Sequence, residues 1–371
     1  MILHFLSDDK FSDYVISQFS GTEMCSEFVL MSGLEVTRCF QNVDKVVRVN
    51  PNDVEDMARL VGSLGHYSAV VLHGLFFPWC ETVLRNVPND VKVAWVFWGG
   101  EIYGRKDLKT TFLAPKTKFV FHVREMKNIL QRKQRVEAAY ELPKELFQRI
   151  NYCLTDIEEE YDFAVRYLSV MTMNYHWYNY YSIEETIGSL RDYFCEGKNI
   201  IIGNSCTIEN NFFDIFRELD NVQLSDREIM IPLSYGTPWL RNLIQRLGRK
   251  QFGDCFIPLV DFMPREQYNR MMLACSTMIQ PHYRAQAQGN IITGLWLGMR
   301  VYLSEKNIAY SYFKRIGVRV FSIETDLKKD NPKAFAPLST EEVQHNRSIL
   351  ESWYSKDVMR SNNVELMKLL S

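Results

Sequence analysis

Short apolar runs alternate with stretches of helical period along most of the chain. Residues 1–6, 27–31, 45–49, 69–73, 91–97 and 118–122 read as strands, each mostly apolar. Helical spacing over 52–64 and 77–86 falls between them, and Asn50-Pro51-Asn52 supplies a start signal for the first of these helices. Apolar strands separated by helices predict a parallel sheet covered on both faces. Leu142, Leu146, Ile150 and Leu154 predict a helix over 137–173, and the aromatic-dense, aperiodic stretch 171–182 reads as a crossover between domains. Alternation resumes at 199–202, 222–224, 228–232, 254–257, 277–280, 301–303 and 318–321, and 340–370 is helical with one polar face. The pattern predicts an α/β chain of two Rossmann-like halves.

The stretch 260–301 is the most informative. An amphipathic helix (266–274) precedes a short apolar strand (277–280), then a polar loop with an Arg, two Gln, a Gly and an Asn, then an apolar helix closing at Gly298. A helix N-terminus presents unpaired N–H groups and positive dipole charge, and glycine lets a ligand approach the backbone. The block therefore points to a phosphate-bearing, nucleotide-type ligand. Four further strand ends carry polar, Gly-bearing loops: His73-Gly74, Trp98–Tyr103, Gly203-Asn204-Ser205 and Ser234-Tyr235-Gly236. One such loop is ordinary turn geometry; five at strand ends, split between two halves, describe a cleft, because open parallel sheets bind ligands beyond their carboxyl ends.

Size and composition narrow the class. A chain of 371 residues suits two domains, and 46% hydrophobic with 24% charged residues is globular. The net charge of −2 argues against nucleic-acid binding. Eight cysteines without a C-x-x-C pair lack the common zinc spacings and suit reduced thiols in a cytosol. The first ten residues do not read as a signal peptide, and no apolar run approaches the roughly 20 residues that span a bilayer, so membrane contact is expected to be peripheral. No Asp-x-Asp pair follows a strand, so neither a metal nor a cofactor is expected.

Five segments, spread over residues 70–301, carry a family resemblance: LHGLFFP (72–78), FWGGEIY (97–103), IIGNSCTIENN (201–211), IPLSYG (231–236) and the 260–301 block. Together they resemble the bacterial family that transfers 4-acetamido-4,6-dideoxygalactose (Fuc4NAc) to a lipid carrier during assembly of enterobacterial common antigen. The resemblance implies a GT-B glycosyltransferase, two Rossmann-like domains facing a central cleft. Its acceptor domain would span 1–180 and its donor domain 181–340, with a helical segment over 341–371. The donor would be a nucleotide sugar, dTDP-linked, and the acceptor a polyprenyl-diphosphate-linked glycan. Such an enzyme would be cytoplasmic, working at the inner face of the cytoplasmic membrane. The alternatives are a capsule or lipopolysaccharide fucosyl- or hexosyltransferase using a UDP- or GDP-sugar, and a non-catalytic nucleotide-sugar-binding protein. A nucleotide-sugar epimerase of the same architecture would need acids where this chain has Gln and Asn.

Roles follow for single residues. Gly203, Asn204 and Ser205 would cradle the donor diphosphate through backbone N–H groups and a hydroxyl, and they suit a helix cap equally. Tyr235 and Gly236 would wall the base or ribose. Arg284 would offer its fork to the diphosphate, with Gln288, Gly289, Asn290 and Thr293 completing the site. Inverting transfer needs a base for the acceptor hydroxyl. Glu101 is the first choice, with His73 and Asp8 as alternatives; the family carries Asp where this chain has Glu101, one methylene longer. Gln and Asn in the donor loop, where retaining relatives of the fold carry paired Glu, favour inversion. Basic residues from Arg105 to Arg135, interleaved with Phe112, Leu113, Ile129 and Leu130, suit an anionic bilayer or simply a solvated helix face.

Overall fold

The structure is a computed structural model of the chain, and it describes residues 1–20, 25–34, 37, 39–131, 140–220, 224, 227–328, 331 and 333–371. The chain divides into two compact units. Unit 1 comprises Met1–Lys106, Glu137–Ser182 and Lys356–Ser371; unit 2 comprises Asp107–Val136 and Ile183–Ser355.

Unit 1 holds seven parallel strands: β1 (Ile2–Leu6), β2 (Ser26–Met31), β3 (Val47–Val49), β4 (Ala69–His73), β5 (Lys92–Val96), β6 (Tyr152–Leu154) and β7 (Asn174–His176), in the spatial order β3-β2-β1-β4-β5-β6-β7. Unit 2 holds six: β8 (Asn199–Ile202), β9 (Ile229–Pro232), β10 (Phe256–Leu259), β11 (Cys275–Gln280), β12 (Arg300–Leu303) and β13 (Phe321–Ser322), in the order β10-β9-β8-β11-β12-β13. Every residue of β1, β4 and β11 is buried, as expected of strands covered on both faces. The strand order reverses between β1 and β4 in one sheet and between β8 and β11 in the other. Ligands of open α/β sheets sit at these reversals.

Local chemistry sets the element ends. The helix Val54–Ser63 starts at Asp53, whose carboxylate accepts from the N–H groups of Glu55 and Asp56, so the cap lies just past the Asn50-Pro51-Asn52 signal. Ser339 and Glu342 close a capping box on Thr340–Tyr354. That helix belongs to unit 2, whereas Lys356–Leu370 buries Leu366, Met367 and Leu370 in the core of unit 1.

Two sequence expectations fail. Residues 118–122 are not a strand but lie within the helix Pro115–Leu130, which starts with Pro at its first position. The single helix expected over 137–173 is instead a 3₁₀ turn (Lys144–Arg149), strand β6 and the helix Glu158–Leu168, with β7 beginning just beyond. The strand expected at 222–224 lies largely outside the described residues, as do Arg132, Lys133 and Arg135.

Candidate functional site

In unit 2 the loops after β8, β9 and β11 form one interlocked frame. Gly203 has φ +70°, and a Cβ there would lie 2.6 Å from Asn210 Oδ1 and 3.0 Å from the Phe212 ring. Gly236 has φ +124°, and its Cβ would meet Cys206 O at 2.1 Å. The two loops run that close because Cys206 N–H donates to Tyr235 O (2.9 Å) and Thr237 N–H to Cys206 O (3.1 Å). Tyr235 is 58% exposed, with its hydroxyl 3.3 Å from Asn204 O, so its ring offers a face to a flat ligand.

A buried polar chain fixes the frame from below. Asn307, His282 and Gln280 are each 0% exposed. Asn307 Nδ2 lies 3.0 Å from His282 Nδ1, His282 Nε2 3.1 Å from Gln280 Oε1, and Gln280 Nε2 3.4 Å from Gly203 O. One neutral tautomer serves these three contacts, with Asn307 donating to His282, His282 to Gln280, and Gln280 to Gly203; the Arg284 carbonyl, 3.1 Å from Nδ1, competes with Asn307 for that nitrogen. Burial agrees, pulling the His282 pKa down to about 3.

The predicted diphosphate residues divide in two. Gly203 N–H donates to Ile279 O (2.8 Å) and Asn204 N–H to Asn210 Oδ1 (3.1 Å), so both amides are spent inside the frame. Ser205 is buried, with its hydroxyl 3.2 Å from Asn210 Nδ2 and 3.3 Å from Thr207 Oγ1. Thr293 Oγ1 donates back to Gly289 O (2.7 Å), and Gln288 Nε2 to the Tyr354 hydroxyl (3.2 Å). These contacts support the frame. The start of the next helix is built differently. The helix Gln288–Trp296 follows Ala287, which has φ +60° and brings no side-chain cap to the first-turn amides of Gln288, Gly289 and Asn290. Arg284 and Asn290 are half-buried, and Gln286 Nε2 donates to Asn204 Oδ1 (2.9 Å), tying the β11 loop to the β8 loop.

In unit 1 the strand ends carry rings and acids instead. Glu101 is 6% exposed, and its Oε1 accepts from Trp95 Nε1 (2.9 Å) and from the Trp98 backbone N–H (3.0 Å). His73 lies between His4 Nδ1 (3.2 Å from its Nε2) and the Tyr180 hydroxyl (3.1 Å from its Nδ1), and Trp98 Nε1 donates to the same hydroxyl. The proton order Trp98, Tyr180, His73, His4 leaves both imidazoles neutral, and burial holds both pKa values far down, that of His4 at about 3. Asp8 is engaged in a turn, accepting from the N–H groups of Cys39 and Phe40. Its neighbour Asp9 is half-buried at the end of β1, and desolvation raises its pKa against the pull of its hydrogen bonds from Ser7 and Phe11. Phe11, Trp98 and Tyr180 pack as an aromatic floor, with ring centroids 4.6–5.9 Å apart.

Comparison with known proteins adds the fold. Neither a protein-family model nor a curated protein sequence matches the chain. Solved structures do. The chain superposes on sucrose-phosphate synthase from Thermosynechococcus elongatus with a TM-score of 0.65 at 9% identity, covering 100% of this chain and 98% of that one. It superposes on a glycosyltransferase from Rickettsia africae ESF-5 with a TM-score of 0.63 at 10% identity (100% and 98% covered), and on Anabaena HepE in complex with UDP with 0.62 at 10% identity (100% of both). The fold is that of GT-B glycosyltransferases.

Within that GT-B fold, sequence reasoning reached the glycines and most loop positions but missed Asn210, Gln280, His282, Asn307 and Asp9. Asn210 stood inside the IENN segment, its only visible signal. Gln280 and His282 lay within the 260–301 block without a role of their own, and Asn307 and Asp9 stand outside the quoted segments.

Proposed function

We propose that the chain is a glycosyltransferase that binds a nucleotide-diphosphate sugar in unit 2 and moves the sugar onto a hydroxyl presented at unit 1. The observation that carries this reading is the frame at the β8/β11 reversal, where three loops are locked by neutral buried amides beside the start of the helix Gln288–Trp296. Neutral donors suit a diphosphate whose charge must be released once the bond breaks. The Gln288–Asn290 amides and Arg284 would hold the diphosphate, and Tyr235 and Gly236 would wall the base. Gly203, Asn204, Ser205 and Thr293 would keep the loops in place. The complex of HepE with UDP supports a nucleotide donor. The motif resemblance supports a dTDP-linked, Fuc4NAc-like sugar and a polyprenyl-diphosphate-linked acceptor at the inner membrane face. Hydrolysis and transfer assays across dTDP-, UDP- and GDP-sugars test the donor class. Preference for the dTDP-sugar is expected; absence of binding to any of the three overturns the transferase reading.

For inverting transfer, Glu101 is the proposed base, held in place by the two N–H donors on Oε1. One observation favours a second reading: Asp9 is more open than Glu101 and has the raised pKa that suits a proton acceptor. His73, locked between His4 and Tyr180, would position the Tyr180 hydroxyl. Loss of the base is expected to lower kcat about 10²–10⁴-fold with donor affinity intact. Glu101→Gln and Asp9→Asn therefore separate the readings. If Glu101→Gln keeps full transfer while Asp9→Asn loses it, the base is Asp9.

A further inference from the structure

The helix Pro115–Leu130 is fixed to unit 2 by one face and leaves an apolar stripe on the other. On the attached face, the Asp214 carboxylate accepts from Lys116 N–H (2.9 Å), Thr117 N–H (2.8 Å) and Thr117 Oγ1 (2.7 Å), a charge-assisted clamp at the helix N-terminus. Thr117 is 0% exposed, Val120 packs on the unit 2 core, and the Arg124 guanidinium lies 5.2 Å from the Trp239 ring centroid. On the opposite face Phe119, Val123, Met126 and Leu130 recur every three or four residues, the spacing of one helical stripe. They are 69%, 44%, 58% and 83% exposed. A docked helix ordinarily buries its apolar face. This one shows it.

Charge selects the occupant. Lys116 and Lys127 border the stripe on one side and Lys118 on the other, all exposed. Glu125, the one acid in the helix sequence, faces Lys109 Nζ at 3.5 Å. An apolar stripe with lysines on both sides matches the interface of an anionic bilayer, where the rings and aliphatic chains enter the acyl boundary and the ammonium groups meet lipid phosphates. A second copy of the chain would set lysine against lysine.

We propose that this helix lies in the plane of an anionic bilayer surface, inserting Phe119, Val123, Met126 and Leu130 with Lys116, Lys118 and Lys127 on the headgroups. The proposal adds the contact surface to the membrane-face reading above. Its test needs neither donor nor acceptor, so its failure is separable from failure of the transferase reading. Sedimentation with vesicles of phosphatidylcholine containing 30 mol% phosphatidylglycerol, roughly, is compared with phosphatidylcholine alone. The full chain is expected to bind the anionic vesicles and to be released by salt. Phe119→Ser/Met126→Ser is expected to weaken binding at least about tenfold, and each of Lys116→Gln and Lys127→Gln roughly fivefold. Exposed positions leave folding intact, which an unchanged thermal melt verifies. No binding to anionic vesicles, equal binding by the double variant, or a wild-type dimer that the double variant abolishes in place of vesicle binding overturns the proposal.

Discussion

The carboxyl ends of the two sheets occupy the same topological position and are built from opposite materials. At the β8/β11 reversal, a Cβ at Gly203 or Gly236 would lie 2.1–2.6 Å from its nearest neighbour, and the buried polar chain is built of amides and an imidazole. At the β1/β4 reversal the space is filled by Phe11, Trp98 and Tyr180, and burial first, then the charges of Asp9 and Glu101, raise the Tyr180 pKa. Each edge contains a chain of hydrogen bonds through neutral histidine, but the chains end differently. In unit 2 the last acceptor is the carbonyl of Gly203, a backbone atom of the ligand loop itself. In unit 1 the chain runs from Trp98 inward to His4, beneath the floor. The first arrangement fixes backbone. The second fixes rings and sets two carboxylates beside them.

Glycine substitutions probe that contrast most strongly. Gly236→Ala combines a positive φ with a Cβ 2.1 Å from a backbone oxygen that has nowhere to go, a cost of roughly 3–6 kcal/mol. Gly203→Ala meets the buried Asn210 amide at 2.6 Å and is expected to cost about 2–4 kcal/mol. Gly100→Ala in unit 1 meets only the half-buried Phe76 ring at 2.9 Å, without a positive φ, and is expected to cost less than about 1 kcal/mol. Denaturant melts rank the three. If Gly100→Ala is as damaging as Gly203→Ala, the unit 1 edge is as rigid as the unit 2 edge and the contrast fails.

Acid separates the units next. A buried imidazole that stays neutral in the fold takes a proton only on unfolding, so stability falls as pH drops below the unfolded value near 6.5. Between pH 7 and 5 each such group removes about 2 kcal/mol. Unit 1 holds His4 and His73, with the buried His176 shifted the same way; unit 2 holds His282. Asp9 works in the opposite sense, since its raised pKa gains stability as pH falls through it. Hydrogen exchange at pH 7 and 5, corrected for intrinsic rates, is expected to show β1 and β4 losing about 2 kcal/mol more protection than β8 and β11. Equal losses would mean that the unit 1 histidines find a proton acceptor in the fold.

How far the sequence announced this layout depends on the range of each interaction. Strands such as 69–73 and 199–202 were legible because an unbroken apolar run needs no partner to be recognised. The stretch 118–122 misled because Phe119, Val120 and Phe121 form a short apolar run, while the exposed Phe119, Val123 and Met126 supply an apolar period with no core behind it. Leu142 to Leu154 misled because a spacing of four arose from a turn followed by a strand. The glycine loops were visible as motifs. Their supports were not: Gln280 reaches Gly203 across 77 positions, and His73 reaches Tyr180 across 107. Ser205 and Thr293 were chosen for hydroxyls that fold inward, an orientation set by Asn210 and by the Gly289 carbonyl.

The smallest effect tests whether the unit 2 frame is fixed before a ligand arrives. Gln286 ties the β11 loop to Asn204 by a direct side-chain hydrogen bond, at 2.9 Å, and it is only half-buried. Its loss leaves Gly203 held by Gln280 and Asn204 N–H held by Asn210. Gln286→Ala should therefore cost no more than the roughly 0.5–1.5 kcal/mol of one hydrogen bond, with water replacing the amide. Donor affinity, measured by calorimetry, is expected to fall about two- to tenfold. A drop beyond about a hundredfold would mean that Gln286 itself grips the ligand. No change at all would mean that the buried chain from Asn307 to Gly203 carries the whole frame, and Gln280→Ala would then be the substitution that loosens it.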